Sequence, residues 1–175
     1  VKAGWRVYKD FWLDFAREVD KDGKTVWEWH LYDHLGLAPD KVNPNEILPE
    51  QVGLAVATTD WSHFNTLEYV PQKDSIIMNS RNIGEIYLVD TKTGNIVWRW
   101  GNPGAYGHGE APGFFNDGDR ELFGSPHATF LDNGHVLVFD HVSELPEGSR
   151  PRVADITVAP QEMVWEARAS RYTTF

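Results

Sequence analysis

Cysteine is absent from the 175 residues of this chain. Its absence excludes disulfide bonds, thiolate metal sites and cysteine nucleophiles, but it does not identify the compartment, because an exported protein need not contain cysteine. No stretch approaches 18 consecutive apolar residues, and the first twenty residues lack a basic stretch followed by an apolar one. The sequence therefore shows neither a membrane-spanning helix nor a signal peptide.

Clustered positive charge is also missing. The formal net charge is −10, and no group of lysine and arginine residues stands out along the chain. Because binding to nucleic acid requires such a group to contact the phosphates, nucleic acid is excluded as a partner. Hydrophobic residues make up 41% of the sequence, which is enough for the core of one ordinary domain.

An internal repeat is the most informative feature of the sequence. A β-rich run, a short polar turn and a second run containing tryptophan occur together three times, at residues 18–29, 88–100 and 156–167. The tryptophans Trp27, Trp98 and Trp165 lie 71 and 67 residues apart. Each copy has the pattern of a β-hairpin, and we expect the three tryptophans to end equivalent strands and to pack between neighbouring sheets.

A second repeated hairpin lies between the copies of the first, at residues 63–80 and 127–140. Each copy begins with histidine, and His63 and His127 are 64 residues apart. Two hairpins per repeat give four strands, and four-stranded sheets arranged around a channel are the blades of a β-propeller. The predicted fold is therefore an all-β propeller, since a plain β-sandwich would not explain a repeat that returns to the same tryptophan and the same histidine.

The spacing also predicts how much of the propeller this sequence covers. Residues 1–175 are expected to form a partial propeller domain of about three blades that starts and ends inside blades, whereas propellers typically contain four to eight. Residues 33–58 and 101–124 interrupt the strand pattern and are predicted to be long loops. These loops either cover one face of the channel or serve as solvated connectors.

Three side chains are predicted to meet at one mouth of the channel. The innermost strand of each blade lines the axis, and His63 and His127 occupy the same position at the start of such strands. Arg81 follows the return strand of the His63 hairpin, which brings its charge back to the same rim. We expect this rim to be locally positive, with the carboxylates in turns elsewhere. The alternative for each residue is a structural histidine or a solvated arginine.

Several sequence runs resemble the bacterial arylsulfate sulfotransferases, from about Ala16 to the C-terminus. The runs that carry the resemblance are residues 60–65, 75–81, 94–101, 122–127 and 132–140. Asp-Trp-Ser-His-Phe-Asn followed by Ser-Arg is fairly specific to this family, whereas the Gly-x-x-Val-Trp hairpin occurs in many propellers. The Pro-His-Ala sequence around His127 departs from the neighbours usual in the family.

The resemblance implies a six-bladed, periplasmic or secreted propeller that moves a sulfuryl group from an aryl sulfate to a phenol. Transfer would pass through a sulfohistidine and would not use 3′-phosphoadenylyl sulfate. His127 matches the nucleophile, and His63 and Arg81 match the groups that hold the sulfuryl oxygens. Asn65 is expected to bind substrate, as is His108 if it reaches the channel rather than solvent. A further family histidine is expected before Val1.

No metal or cofactor is expected. The acidic runs at 20–23 and 116–119 do not complete a twelve-residue calcium loop and are interpreted as turns. His30 and His34 flank Asp33 without a partner cluster that would complete a metal site.

Two other functions stay open. One is a non-catalytic propeller that binds a partner, either as a homo-oligomer or within a larger extracytoplasmic assembly. The other is a quinoprotein-like oxidoreductase, which the tryptophan hairpins suggest. Fold alone does not decide among them. A sulfotransferase needs histidine and arginine groups converging on an anion-sized space, whereas a quinoprotein needs an aromatic-walled pocket.

Overall fold

The computed structural model describes residues 12–38, 40–45, 60–111, 118–124, 127–140 and 152–158, together with the backbone of residues 163–168. This part of the chain contains three antiparallel β-sheets and two single turns of 3-10 helix, at Leu31–His34 and Pro103–Tyr106. The strands are β1 Phe15–Val19, β2 Thr25–His30, β3 Phe64–Val70, β4 Ser75–Ser80, β5 Glu85–Asp90, β6 Ile96–Trp100, β7 His127–Phe130, β8 His135–Asp140, β9 Arg152–Thr157 and β10 Met163–Arg168.

Each sheet is built from strands that follow one another in sequence. Strands β1 and β2 form a hairpin, and β3 to β6 and β7 to β10 form two four-stranded meanders. The predicted hairpins are therefore confirmed. Trp27, Trp98 and Trp165 occupy the third position of β2, β6 and β10, so they are equivalent as expected, but they lie inside these strands and not at their ends.

The turns of the tryptophan hairpins show why the sequence repeats aspartate and glycine there. Asp20 Oδ1 accepts hydrogen bonds from the backbone N–H groups of Asp22 and Lys24, and Asp90 Oδ1 accepts them from the two residues before Gly94. Gly94 has a φ of 72°, a conformation that favours glycine. The acidic run at 20–23 is thus part of a turn.

The middle sheet, β3 to β6, is covered on both faces. Alternate residues of a strand point to opposite faces, and in β4 Met78 belongs to the core shared with the β1–β2 hairpin while Ile77 belongs to the core shared with β7 to β10. In β5, Tyr87 belongs to the core on the β1–β2 side and Leu88 belongs to the core on the β7–β10 side. This two-sided burial explains why all six residues of β4 are buried and why three apolar residues, Ile76 to Met78, follow one another in it.

Tryptophans of β2 connect the first hairpin to the middle sheet. Trp27 Nε1 donates to the backbone oxygen of Thr91 at 2.8 Å, and Trp29 Nε1 donates to that of Gly94 at 3.0 Å. Trp98 is buried on the other side of the middle sheet, against β7 to β10. The expected packing between sheets is confirmed for Trp27 and Trp98, while Trp165 is described in its backbone only.

The first strands of the two meanders, β3 and β7, lie side by side. The backbone N–H of Ala128 donates to Thr66 Oγ1 at 3.1 Å, and Thr129 Oγ1 donates to Glu68 Oε2 at 2.5 Å. Successive sheets thus stack face to face with their first strands adjacent, which is the neighbour relation of propeller blades. The radial closure of such sheets into a propeller stays a prediction.

A buried ion pair lies at the end of the middle sheet where β5 begins. Arg99 Nη2 donates to Glu85 Oε1 at 2.7 Å and to Oε2 at 2.6 Å, and the Glu85 side chain is fully buried. Arg99 Nη1 also donates to the backbone oxygen of Lys41, and its guanidinium lies 4.6 Å from the centre of the Tyr106 ring. One arginine therefore fixes segments of both long connections against the sheet.

Replacing Glu85 with glutamine should lower the free energy of unfolding by about 3–5 kcal/mol, because it leaves the buried Arg99 charge without its carboxylate. Urea denaturation monitored by tryptophan fluorescence measures this change. Glu28→Gln is the matched control, since it breaks the exposed pair of Arg17 and Glu28 and should have a much smaller effect. Equal losses in the two variants would contradict the assigned importance of the buried pair.

Candidate active site

The two predicted histidines lie at the starts of neighbouring strands. His63 directly precedes β3, and His127 is the first residue of β7. Because Thr66 and Glu68 contact Ala128 and the residue after it, β3 and β7 run in the same direction, and their starts lie at the same end of the sheets. The structure therefore places both histidines at that end, here called the upper end.

Arg81 lies between the two histidine-bearing segments. Its backbone N–H donates to the backbone oxygen of His63 at 3.0 Å, because the chain leaves β4 beside the start of β3. Gly124, three residues before His127, lies beside the Arg81 side chain, and a Cβ atom there would be in ordinary contact with Arg81 Cγ at 3.8 Å. The Arg81 side chain therefore begins next to the segment that carries His63 and next to the segment that leads to His127.

Asp60 contacts the His63 ring directly. His63 Nδ1 lies 2.5 Å from Asp60 Oδ2, and His63 has a positive φ of 49°, which is uncommon for a residue other than glycine. The adjoining backbone is held by Asp14 Oδ2, which accepts from Ser62 Oγ at 2.5 Å and from the Phe64 N–H at 3.1 Å. Sequence reasoning missed both aspartates, although the spacing of Asp60 and His63 in the family-like run was a usable signal.

Asn65 occupies a β-bulge at the start of β3. Phe64 pairs with Ser80 and Thr66 pairs with Asn79, so Asn65 is the extra residue between them. A bulge re-aims side chains, and it explains why Phe64 faces the core on the β1–β2 side while Thr66 faces β7. Asn65 is exposed next to His63, which is compatible with its predicted role in binding substrate.

No contact among the described residues places His108 next to His63 or His127. Its ring makes an edge contact with Tyr106, with 5.5 Å between the ring centres, and it lines a cavity of about 230 Å³ with Trp98 and Arg99. This cavity lies against β6, the last strand of the middle sheet, whereas His63 adjoins the first. The role of His108 in binding substrate stays a prediction.

Two more arginines lie near the segment that leads to His127. Asp140 accepts hydrogen bonds from the Phe123 N–H at 3.2 Å and from Arg152 Nε at 3.3 Å. The guanidinium carbons of Arg120 and Arg152 lie 4.4 and 5.8 Å from the centre of the Phe123 ring. Burial raises the pKa of Asp140, while Arg152 and the Phe123 N–H oppose that shift.

These contacts correct one expectation about charge. The rim was expected to be locally positive, with the carboxylates scattered through turns, but Asp60 and Asp140 both lie at the upper end, each beside a side chain that carries or accepts positive charge. The described residues contain no cluster of three or more histidine, aspartate or glutamate side chains placed to hold a metal ion. Within the same residues, no helix is long and apolar enough to cross a bilayer.

Comparison with known protein families identifies the chain at the family level. A family model described as Arylsulfotransferase (ASST) matches residues 7–148. The chain belongs to the arylsulfotransferase family. This membership supports a sulfotransferase-type function acting on aryl sulfates, and the match spans both histidines at the upper end and Arg81. A search of curated proteins finds no match.

Gly124→Ala should weaken the binding of inorganic sulfate. Gly124 has a φ of 106°, and relaxing that strain in alanine would move the segment that passes Arg81 and leads to His127. Calorimetric titration with sulfate measures the affinity. Gly134→Ala is the control, because Gly134 also has a positive φ of 86° but lies in the turn at the opposite end of β7. Unchanged affinity in the Gly124 variant would contradict this.

Proposed function

We propose that this chain carries the active site of an arylsulfate sulfotransferase that works through a covalent sulfohistidine on His127, without 3′-phosphoadenylyl sulfate. The observation that carries the proposal is the convergence of His63, Arg81 and the start of β7 at one end of two adjacent sheets. All of these residues fall within the region that matches the family model. The proposed substrates are an aryl sulfate as donor and a phenol as acceptor.

The complete domain is proposed to be a six-bladed propeller located outside the cytoplasm. Face-to-face stacking of consecutive sheets supports the propeller, as does the contact between β3 and β7. In this arrangement the described residues 121–124 lead from the end of β6, where the Leu122 N–H donates to the backbone oxygen of Gly101, to the side chain of Arg81. They would form part of the wall around the bound substrate.

The proposed reaction has two transfer steps. In the first, an imidazole nitrogen of His127 attacks sulfur, an N–S bond forms, the bond from sulfur to the aryl oxygen breaks, and the phenolate leaves with the electron pair. In the second, the acceptor phenolate attacks sulfur and the N–S bond breaks, which restores the imidazole. A phenolate needs little protonation as a leaving group, so a strong general acid is dispensable.

Arg81 and His63 are proposed to bind the oxygens of the sulfuryl group. These oxygens carry negative charge while bonds to the nucleophile and the leaving group change, and positioned donors stabilise that charge without reorganising. The backbone hydrogen bond from Arg81 to His63 ties the two donors to one another. Neither residue forms a bond to sulfur, so each contributes only part of the lowering of the barrier.

His127→Asn should abolish transfer and covalent labelling, because it removes the attacking nitrogen. Full-length protein is mixed with 4-nitrophenyl sulfate in the absence of acceptor, and intact-mass measurement over a range of quenching pH tests for one added sulfuryl group. His135→Asn is the matched control: His135 lies on the adjacent strand β8 at the opposite end and contacts Asp155. It should label like the wild type.

Arg81→Ala should slow the transfer, whereas His127→Asn should abolish it. Loss of one charge-stabilising donor typically lowers kcat by about 10²–10³-fold, so slow labelling of His127 should persist. Single-turnover release of 4-nitrophenol measures the rate of the first step. Normal release by the His127 variant would overturn the mechanism, and a wild type inert towards several aryl sulfates would favour a binding propeller.

A further inference from the structure

We propose that Asp60 is a positioning residue for the binding of the sulfuryl group, acting through His63. By holding Nδ1 of the ring, Asp60 leaves Nε2 as the nitrogen that can donate a hydrogen bond to a sulfuryl oxygen. This inference rests on the proposed function, because His63 is one of the hydrogen-bond donors of the proposed site. Its consequence is that one carboxylate determines the orientation of the His63 ring.

The geometry supplies the first argument. Asp60 Oδ2 lies 2.5 Å from His63 Nδ1, and an ionised carboxylate can only accept, so Nδ1 carries the proton of this hydrogen bond. The two nitrogens lie on different edges of the imidazole ring. Nε2 is therefore kept away from Asp60, and the ring cannot turn over without losing the contact.

The chemistry of the ligand supplies the second argument. Sulfuryl oxygens accept hydrogen bonds and do not donate them, so Nε2 must carry a proton to bind one. With Nδ1 donating to Asp60, a donor at Nε2 requires the doubly protonated ring, and the carboxylate offsets the charge of that form. Without Asp60, the doubly protonated ring would lose its counter-charge and could turn, so no fixed contact would direct Nε2.

The surrounding contacts indicate that the fold holds this pair in place. The backbone oxygen of Asp60 accepts from Asn82 Nδ2 at 2.8 Å, and Asp14 fixes the residues on either side of His63. The positive φ of His63 is a strained conformation for residues other than glycine. Such strain is commonly retained at sites where the orientation of a side chain matters.

The test uses full-length protein and the variants Asp60→Asn, His63→Asn and the double variant. Asparagine keeps the size of the side chain but removes the charge, and we expect kcat/KM for 4-nitrophenyl sulfate to fall by about 10–100-fold. If Asp60 acts through His63, the same substitution in the His63→Asn background should change kcat/KM by less than about twofold. Independent losses that multiply in the double variant would overturn the inference.

A spectroscopic readout separates this role from general support of the turn. The Nδ1 proton of His63 should give a strongly downfield resonance that is lost in Asp60→Asn and in His63→Asn. Asp14→Asn is the matched control, because Asp14 supports the same turn without contacting the ring, and it should retain the resonance. Loss of the signal in the Asp14 variant to the same extent would mean that Asp60 is only structural.

Sulfate affinity makes failure of the inference distinguishable from failure of the proposed function. Asp60→Asn should raise the Kd of inorganic sulfate about 10-fold or more. If the wild type transfers no sulfuryl group but shows this loss of affinity and the His63 resonance, the proposed function is wrong and the pair still positions an anion ligand. If the wild type is active and the Asp60 variant matches it in both readouts, the inference is wrong and the proposed function stands.

Discussion

The contact between β3 and β7 determines which side chains of this chain can meet. Thr66 and Glu68 bond to the first residues of β7, so the two first strands run in the same direction with their starts together. The positions of His63 and His127 relative to one another are therefore a consequence of sheet stacking and not of their distance in sequence.

The connections at the upper end depend on charges that are buried in pairs. Glu85 and Arg99 hold the segment around Lys41 and the ring of Tyr106, and burial beside Glu85 raises the pKa of that phenol to about 12. A buried ion pair contributes little net stability over an apolar replacement, but removal of one partner is costly. Here the ion pair holds two long segments in place. A site that is built from such segments depends on their position.

Most of the strand order could be predicted from sequence because the repeat imposes it. The tryptophan and histidine hairpins recur at nearly constant intervals, and the consecutive apolar residues in β4 and β5 follow from burial on both faces. The pair of Asp60 and His63 could not be predicted in the same way, because it depends on a positive φ and on Asp14, which lies about fifty positions away in sequence. His108 was assigned by loop length alone, which does not specify where along the upper end a side chain lies.

The correction about charge bears on how the proposed site would work. A strongly positive rim would bind the sulfuryl group equally well in the substrate and in the transition state, and uniform binding of that kind does not raise kcat. Asp60 instead lies beside His63, so a charge on this ring would have a carboxylate partner, and Asp140 pairs with Arg152 nearby. A donor that such a partner orients can be directed to the place where negative charge develops, which is what the proposed in-line transfer to His127 would require.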